Sequence, residues 1–289
     1  MNASKSIQNV TVLLPAFNEE KDLPALLARL KETLSPQPFG YSVVIVDDGS
    51  KDRTAEIAEE AAKTMPIHLV RHGVNRGLGC AIQTGLREAV KHGDLIVSMD
   101  ADNSHDPIYI ADMVKHMDTH DTSFVIASRF QKGSVVKGVP LVRQAMSWGC
   151  FLFMRAVVPY RNVRDYSTGF RGYRASTVEK LIAQYGDKLV EESGFVCMLE
   201  VLLKMRAIGA KAAEIPYVLR YDLKEGVSKM RIFRTIRRYF SVVNRYRTAL
   251  PPRSPVAATG RPIQTPAAAP RVVVRLDSAG RKTQTFEAL

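Results

Sequence analysis

Leu95-Ile96-Val97-Ser98-Met99-Asp100-Ala101-Asp102-Asn103-Ser104-His105-Asp106-Pro107 sets a short apolar run against two carboxylates spaced i, i+2. Leu95 to Met99 has the length and content of a buried strand. Asp100 and Asp102 then fall at or just past its carboxyl end, the edge at which open parallel sheets bind ligands. A buried strand does not run on into charge without a reason, because an unpaired buried carboxylate is costly. Two carboxylates this close repel each other unless a cation sits near them. Oxygen ligands with open coordination positions suit Mg2+ or Mn2+, ions that also bridge a diphosphate. The same residues equally fit a strand end followed by an Asx-turn and a helix starting near Pro107.

Outward from this stretch, strands alternate with helices. Val10–Leu14 reads as a strand ended by Pro15, and Leu23, Leu26, Leu27 and Leu30 recur at helical spacing in a helix reaching Leu34. Tyr41–Val46 reads as a second strand, running into the acidic turn Asp47-Asp48-Gly49-Ser50 and a helix over Thr54–Lys63. Ile67–Arg71 is a third strand, and Asn75-Arg76-Gly77-Leu78-Gly79 is a turn before a helix over Ala81–Lys91. After the opening stretch come a helix over Pro107–Met117 and a strand over Phe124–Ala127. This alternation predicts an α/β fold: right-handed βαβ units forming a Rossmann-like, mostly parallel sheet flanked by helices. Pro15 to Glu19, Asp47-Asp48, the Gly77 turn and Asp100 to Asp102 all follow strands, so the sheet's carboxyl edge gathers them into one crevice. Glycines before a helix either let backbone N–H groups approach a phosphate or simply make a tight turn, and both readings stand for Gly77 and Gly79. The three-glycine dinucleotide signature after the first strand is absent, which argues against a dehydrogenase, and the P-loop signature is missing too.

The chain has 289 residues, 46% of them hydrophobic and 24% charged, an ordinary globular balance for one large domain or two small ones. Lys and Arg number 41 against 29 Asp and Glu, a formal net charge of +12. Such a surface suits an anionic membrane, phosphorylated substrates or nucleic acid; no nucleic-acid motif is present, which disfavours the last. Cys80, Cys150 and Cys197 are far apart and match no zinc spacing, as expected of a reduced protein with buried thiols. No apolar run reaches the roughly 18–20 residues of a membrane span. The polar stretch Met1–Asn9 has no signal-peptide apolar segment. A cytoplasmic protein with peripheral membrane contact is the expectation.

Taken in order, several pieces resemble glycosyltransferase family 2, and most closely its polyprenyl-phosphate mannose synthases. They are Leu14-Pro15-Ala16-Phe17-Asn18-Glu19-Glu20, Val46-Asp47-Asp48-Gly49-Ser50, Gly77-Leu78-Gly79 and Met99-Asp100-Ala101-Asp102-Asn103-Ser104-His105-Asp106-Pro107. Ser128-Arg129-Phe130, Ser167-Thr168-Gly169-Phe170-Arg171 and Gly226-Val227-Ser228-Lys229-Met230 follow, so the likeness covers Val10 to Tyr246. The resemblance implies a GT-A fold that binds a sugar nucleotide. It assigns Pro15, Phe17 and Glu19 to the nucleoside pocket, Asp47 and Asp48 to the base or ribose, and Gly77 and Ser228 to the nucleotide's surroundings. Asp100 and Asp102 would hold Mn2+ or Mg2+ against the diphosphate. Ser104 stands where some relatives carry Gln and would be a shorter, weaker third ligand, with a water filling the gap. GDP-mannose is the favoured donor and a polyprenyl phosphate the acceptor, with a membrane-anchoring protein as a further partner. UDP-glucose is the alternative donor.

A phosphate acceptor is already an oxyanion near neutral pH, so transfer to it needs no general base. It needs cations that hold two phosphates together against their repulsion. Arg129 follows a strand directly, in the region where relatives hold the acceptor phosphate, and Arg143 and Arg171 lie beyond it. Arg220 and Lys229 bracket Tyr221–Ser228, which resembles the family's flexible loop over the nucleotide. Together with Asp102, Arg129, Arg220 and Lys229 are the expected catalytic set. Relatives that glycosylate hydroxyls often carry a Glu-Asp pair as general base. Here only Glu191-Glu192 and Glu200 lie in that region, and Glu200 reads as a structural helix residue. The Gln-x-x-Arg-Trp signature of processive synthases is absent. A hydroxyl acceptor, with Glu192 or Glu200 as base, is the rival reading, and a catalytically silent membrane-bound partner is the non-enzyme one.

Val139–Tyr160 reads as a helix lying in the bilayer interface, with Trp148 and Tyr160 at headgroup depth, or as a helix packed on the sheet. Met230–Arg247 carries Arg231, Arg234, Arg237, Arg238, Arg245 and Arg247 and no acid, around an apolar stripe at helical spacing. That pattern suits a basic amphipathic helix on anionic lipid, or an ordinary helix with a solvated basic face. The domain organisation expected is a transferase domain over residues 1–248, with a nucleotide-sugar half (1–130) and an acceptor half (131–248). A Pro/Ala-rich disordered tail (249–289) follows, in which Arg271–Leu276 has the content of a short strand.

Overall fold

Val43 to Val46 and Leu95 to Val97 are apolar without a break, and every one of them is fully buried. Unalternated runs of this kind belong to strands covered on both faces. The computed structural model describes residues 6–223, 225, 232–247, 271–276 and 282–287. They fall into two units, Met1–Pro251 and Pro252–Leu289.

The first unit opens with β1 (Asn9–Ala16), α1 (Leu23–Leu34), β2 (Gly40–Asp47), α2 (Thr54–Ala62), β3 (Ile67–Arg71), α3 (Leu78–Ala89), β4 (Leu95–Ser98), α4 (Tyr109–Thr119) and β5 (Phe124–Ser128). It continues with β6 (Val135–Lys137), α5 (Leu141–Val157), β7 (Arg171–Arg174), α6 (Ala175–Tyr185), α7 (Cys197–Ala207), β8 (Ala212–Pro216), β9 (Val218–Arg220) and α8 (Ile232–Arg247). Seven strands form one sheet in the order β3-β2-β1-β4-β7-β5-β8. All its pairings are parallel except those of β7, which runs antiparallel to both β4 and β5. The alternation of strands and helices does not reveal that insertion, because β7 arrives from the second half of the chain, after α5. Strands β6 and β9 pair separately and in parallel.

Two boundaries differ from the sequence expectation. Pro15 lies inside β1, opposite Val46, rather than ending it. Helix α3 starts at Leu78, so Gly79 is in its first turn.

Period-two alternation divides the core between the faces of the sheet. Leu13 points to the face covered by α3, α6, α7 and α8, with Ile82, Leu181, Leu202 and Val242. Its neighbours Val12 and Leu14 point to the face covered by α1 and α4, with Leu26, Leu30, Ile110 and Met113. Helix α7 is buried on all sides from Cys197 to Met205, and the two charges within that stretch, Glu200 and Lys204, meet each other at 2.7 Å. In the second unit, β10 (Arg271–Leu276) and β11 (Lys282–Glu287) form an antiparallel hairpin.

Candidate active site

A cavity of about 960 Å3 opens over the carboxyl edge of the sheet. Pro15, near the carboxyl end of β1, and Phe17 and Glu19 just after it line the cavity, as do Asp48 after β2, Gly77 before α3, and Asp100, Asp102 and Ser104 after β4. Arg129, at the end of β5, lines it from the other half, with Ser167–Gly169, Ser193–Val196 and Tyr239 and Phe240 of α8. Most of the residues singled out from sequence therefore share one cavity.

The loop after β4 is held rigidly. Asn103 adopts φ +58°, a left-handed conformation that Asn tolerates better than most residues. Arg29, from α1, secures it: one Nη donates to Asn103 Oδ1 at 2.7 Å and the other pairs with Asp106 at 2.8 Å. His105 Nδ1 accepts the Asp100 N–H at 3.1 Å, and its ring stacks on Phe170 at 5.0 Å. Ser104 donates its backbone N–H and its hydroxyl to Asp102 Oδ1, at 3.1 and 2.5 Å. The backbone N–H of Arg220 donates to Ser104 O at 2.9 Å.

The donor set fits a divalent cation in part. Asp100 and Asp102 are oxygen donors on the cavity wall. Gly169 keeps the space beside Asp100, since a Cβ there would lie 3.0 Å from Asp100 Oδ1. No cluster of three or more His, Cys, Asp or Glu forms a cage among the described residues. A site of this kind suits an ion that takes few protein ligands and completes its shell with phosphate and water, as Mg2+ does.

The other expected residues are placed less directly. Asp48 is held by the protein at three points: Oδ1 bonds His72 Nδ1 at 2.7 Å and the Arg76 N–H at 2.9 Å, and Oδ2 accepts the Gly77 N–H at 2.8 Å. It fixes the glycine turn. Asp47 is buried, is not on the cavity wall, and accepts the Ser50 N–H at 3.2 Å. Gly77 (φ +93°) and Gly79 are explained by close approach: a Cβ on them would lie 2.5 Å from Ser193 O and 1.8 Å from Glu192 O. The turn's glycines thus admit the 192–193 backbone. The Arg220 side chain is off the cavity wall, where Asp222 holds it through Nε and Nη2 at 3.0 and 2.9 Å. Arg171 is fully buried and bonds Met198 O and Tyr166 O. Ser228 and Lys229 lie outside the described residues.

Arg129 and, from α8, Arg238 are the arginines on the cavity wall among the described residues, and Arg129 is the one expected from sequence to meet the acceptor. Its Nε and Nη2 donate to the two oxygens of Asp165 at 2.8 and 2.7 Å, and Nη2 also donates to Ser167 Oγ at 2.6 Å. Burial alone would lower the arginine's pKa and raise the acid's. The mutual attraction and hydrogen bonds outweigh it, so Arg129 shifts up and Asp165 down, and both stay charged. Asp165 did not emerge from the sequence. Its only signal is a lone acid between Arg161, Arg164 and Arg171, just before Ser167-Thr168-Gly169. Tyr217 was likewise missed; it is fully buried behind His105 and Phe170.

Beyond Arg129 the cavity becomes apolar, between α5 and α8, with Met146, Gly149, Cys150, Phe153, Tyr239 and Phe240. Burial pushes the Cys150 thiol up to about 11, so it is neutral. Phe153 and Phe240 meet edge to face at 4.9 Å. The two helices expose Leu141 (80%), Leu152 (60%) and Trp148 (55%), and Phe240, at the mouth of the cavity, is 54% exposed. No helix among the described residues is long and apolar enough to cross a membrane. Arg238 and Arg245 of α8 turn inward to Glu192, at 3.8 and 3.6 Å.

Comparison with known proteins adds the following. The family model for glycosyl transferase family 2 matches residues 11–182. A dolichol-phosphate mannosyltransferase of Pyrococcus furiosus is 32% identical over 238 residues, 81% of this chain; the alignment spans only 63% of that relative. An undecaprenyl-phosphate mannosyltransferase of Micrococcus luteus is 30% identical over 76% of this chain and 87% of its own length. A polyprenol monophosphomannose synthase of Mycolicibacterium smegmatis is 28% identical over 77% and 81%. Among solved structures, glucosyl-3-phosphoglycerate synthase of Mycobacterium tuberculosis, in complex with Mn2+, UDP and glucosyl-3-phosphoglycerate, superposes with a TM-score of 0.61. It is 16% identical, over 97% of this chain and 88% of that one, a likeness of fold.

Proposed function

The chain belongs to glycosyl transferase family 2 and is a glycosyltransferase of GT-A fold; from that premise we propose that it transfers one hexose, mannose from GDP-mannose, to a polyprenyl phosphate at the cytoplasmic face of a membrane. The observation that carries the reading is the continuity of the cavity. It runs from the Asp100–Asp102 pair past Arg129 into an apolar trough between α5 and α8, beside exposed Trp148, Leu152 and Phe240. A lipid phosphate has this order of parts, an anionic head on an apolar chain. The family relatives named above act on such lipids by name.

Asp100 and Asp102 would hold Mn2+ or Mg2+. When bound, the ion neutralises charge on the departing nucleoside diphosphate. Pro15, Phe17 and Glu19 border the nucleoside. An acceptor phosphate oxygen attacks the anomeric carbon as the bond to the diphosphate oxygen breaks on the opposite face, with inversion. Arg129 orients the acceptor phosphate and offsets the repulsion between the two phosphates. The exposed apolar side chains of α5 and α8 sit in the interface of the bilayer.

The rival hydroxyl acceptor would need a carboxylate base. Glu200 is fully buried and bonded to Lys204 and Tyr246, Glu192 pairs with Arg238 and Arg245, and neither lines the cavity. That disposition favours the phosphate acceptor.

The test is incubation of the purified protein with Mn2+, a polyprenyl phosphate and, separately, radiolabelled GDP-mannose, UDP-glucose and UDP-N-acetylglucosamine. Label entering the organic phase from GDP-mannose alone, labile to mild acid and abolished by EDTA, is the expected result. Label from UDP-glucose alone would replace the sugar. No labelled lipid from any donor, while a nucleotide sugar still binds, would refute the acceptor.

A further inference from the structure

We propose that Asp165 is a positioning residue that sets the geometry between the acceptor phosphate and the donor diphosphate; the inference rests on the acceptor role of Arg129 proposed above. The carboxylate makes two sets of contacts at once. Towards β5 it accepts from the Arg129 backbone N–H at 3.1 Å, from Nε at 2.8 Å and from Nη2 at 2.7 Å. Towards the next turn it accepts from the Ser167 and Thr168 N–H groups at 3.3 and 3.1 Å. That turn leads to Gly169, whose carbonyl is held by Ser98 Oγ at 2.7 Å and whose Cα faces Asp100. One buried side chain therefore joins the cation of the acceptor side to the turn beside the carboxylate of the donor side.

The pair is also polarised across the cavity wall. The Asp165 side chain is 0% exposed and that of Arg129 is 19% exposed. The acid takes the Nε edge of the guanidinium and Ser167 shares Nη2. No described residue accepts from Nη1. A planar guanidinium bound on one edge by a fixed carboxylate presents its remaining edge in a set direction, which a free arginine does not. Phe130 lies under the guanidinium, with Cζ 5.9 Å from the ring centroid. Asp165 is anchored in turn: Glu214 Oε1, from β8, accepts the Arg164 and Asp165 N–H groups at 2.6 and 2.7 Å. An ion pair serving stability alone needs no open edge on a cavity, and apolar residues often replace such a pair without loss.

The test combines kinetics with chemical rescue, using the full chain, GDP-mannose, Mn2+ and a short-chain polyprenyl phosphate. Asp165→Asn should lower kcat by about 100-fold, the scale of an ångström of misplacement, while the KM for the donor stays within threefold. Ser167→Ala, which removes one Nη2 contact, should lower kcat by less and fold normally. Arg129→Ala should lose transfer and regain part of it with added guanidinium. Arg129→Ala/Asp165→Asn, which leaves no buried charge unpaired, should not be rescued. Rescue of the double variant as strong as that of the single one, or Asp165→Asn with kcat within twofold of the parent, overturns the inference alone. Equal losses in kcat and donor affinity would make Asp165 merely structural, which also overturns it. A parent enzyme that labels no lipid phosphate overturns the acceptor reading and the inference with it.

Discussion

Gly79→Ala sets two physical effects against each other, and the sign of the outcome decides between them. In an exposed helix the change should stabilise by about 0.5–1 kcal/mol, because alanine loses less backbone entropy. At residue 79, in the first turn of α3, the new Cβ would lie 1.8 Å from Glu192 O, 2.8 Å from Glu192 C and 3.1 Å from Val190 Cγ1. The atom in the way is backbone, so it cannot rotate aside. The carbonyl must retreat to at least 3.0 Å, and the Gly79 N–H bond to Ser193 O at 3.2 Å goes with it. Overpacking of this kind costs about 1–3 kcal/mol, enough to reverse the propensity gain. A unit of this size should then melt roughly 2–10 °C lower. Ser193 and Gly194 line the cavity, so nucleotide-sugar affinity should fall several-fold as well. Gly149→Ala is the control. It is also helical, in α5, and its added Cβ meets nothing within 4 Å. That variant should melt at or above the parent. The assay is thermal unfolding by circular dichroism alongside titration with GDP-mannose. Gly79→Ala melting at or above the parent temperature would refute the close-approach explanation of this glycine and return it to the phosphate-cradle reading.

Glu200→Ala leaves Lys204 charged and 1% exposed, a loss of about 3–5 kcal/mol. Melting should drop by roughly 10 °C and be restored only in part in Glu200→Leu/Lys204→Met, because the Glu191 and Glu192 N–H groups still lose their acceptor; a double variant melting as low as the single one would locate the loss in those bonds and not in the ion pair. Asp165 has its pKa lowered in the fold: burial opposes the shift, and Arg129 drives it. Its stabilisation is therefore complete above its unfolded value of about 3.9 and is lost as pH falls through the lower folded value. The melting gap between the parent and Asp165→Asn should narrow below about pH 4, and a gap that is constant or widens there would contradict the pairing. Gly149→Leu fills the apolar part of the cavity. It should raise the KM for long polyprenyl phosphates at least tenfold with donor affinity unchanged; an equal change for donor and lipid would place the lipid elsewhere.

The parts of this protein that were legible in the sequence are those coded by neighbours along the chain. Buried strands such as Leu95–Val97, the leucine stripe of α1 and the acidic strand ends are local patterns, and parallel topology brings the strand ends together. The roles of Asp48 and Gly77 were not legible, for a different reason. An acidic turn and a glycine turn look alike whether they meet a ligand or each other, and here Asp48 receives the Gly77 N–H across 29 positions of chain. The same holds for Arg220, whose charge is taken by Asp222 two residues on, while its backbone, not its side chain, reaches the loop after Asp102.

The second half of the chain contributes to the site mainly by constraint. Residues 193–195 line the cavity, and the 191–193 stretch that carries them is pinned from three sides: Gly79 in front, Glu200 Oε2 accepting the Glu191 and Glu192 N–H groups at 2.9 Å behind, and Arg238 of α8 donating to Ser193 Oγ at 3.0 Å. Helix α8 is also the basic helix whose half-exposed Phe240 lies at the cavity mouth. A shift of α8 would therefore move Ser193 against the glycine turn that Asp48 holds. Arg238 and Arg245 meet Glu192 only at 3.8 and 3.6 Å, beyond direct hydrogen-bond length. Competing phosphates at a bilayer surface would cost this contact little, whereas the tighter bonds to Glu200 would keep the loop in place. Tyr246 of α8 also donates to Glu200 Oε1 at 2.8 Å, so the carboxylate that holds the 191–192 backbone ties α8 to it, and Glu200→Gln should loosen loop and helix together, read as a joint loss of amide protection in hydrogen exchange.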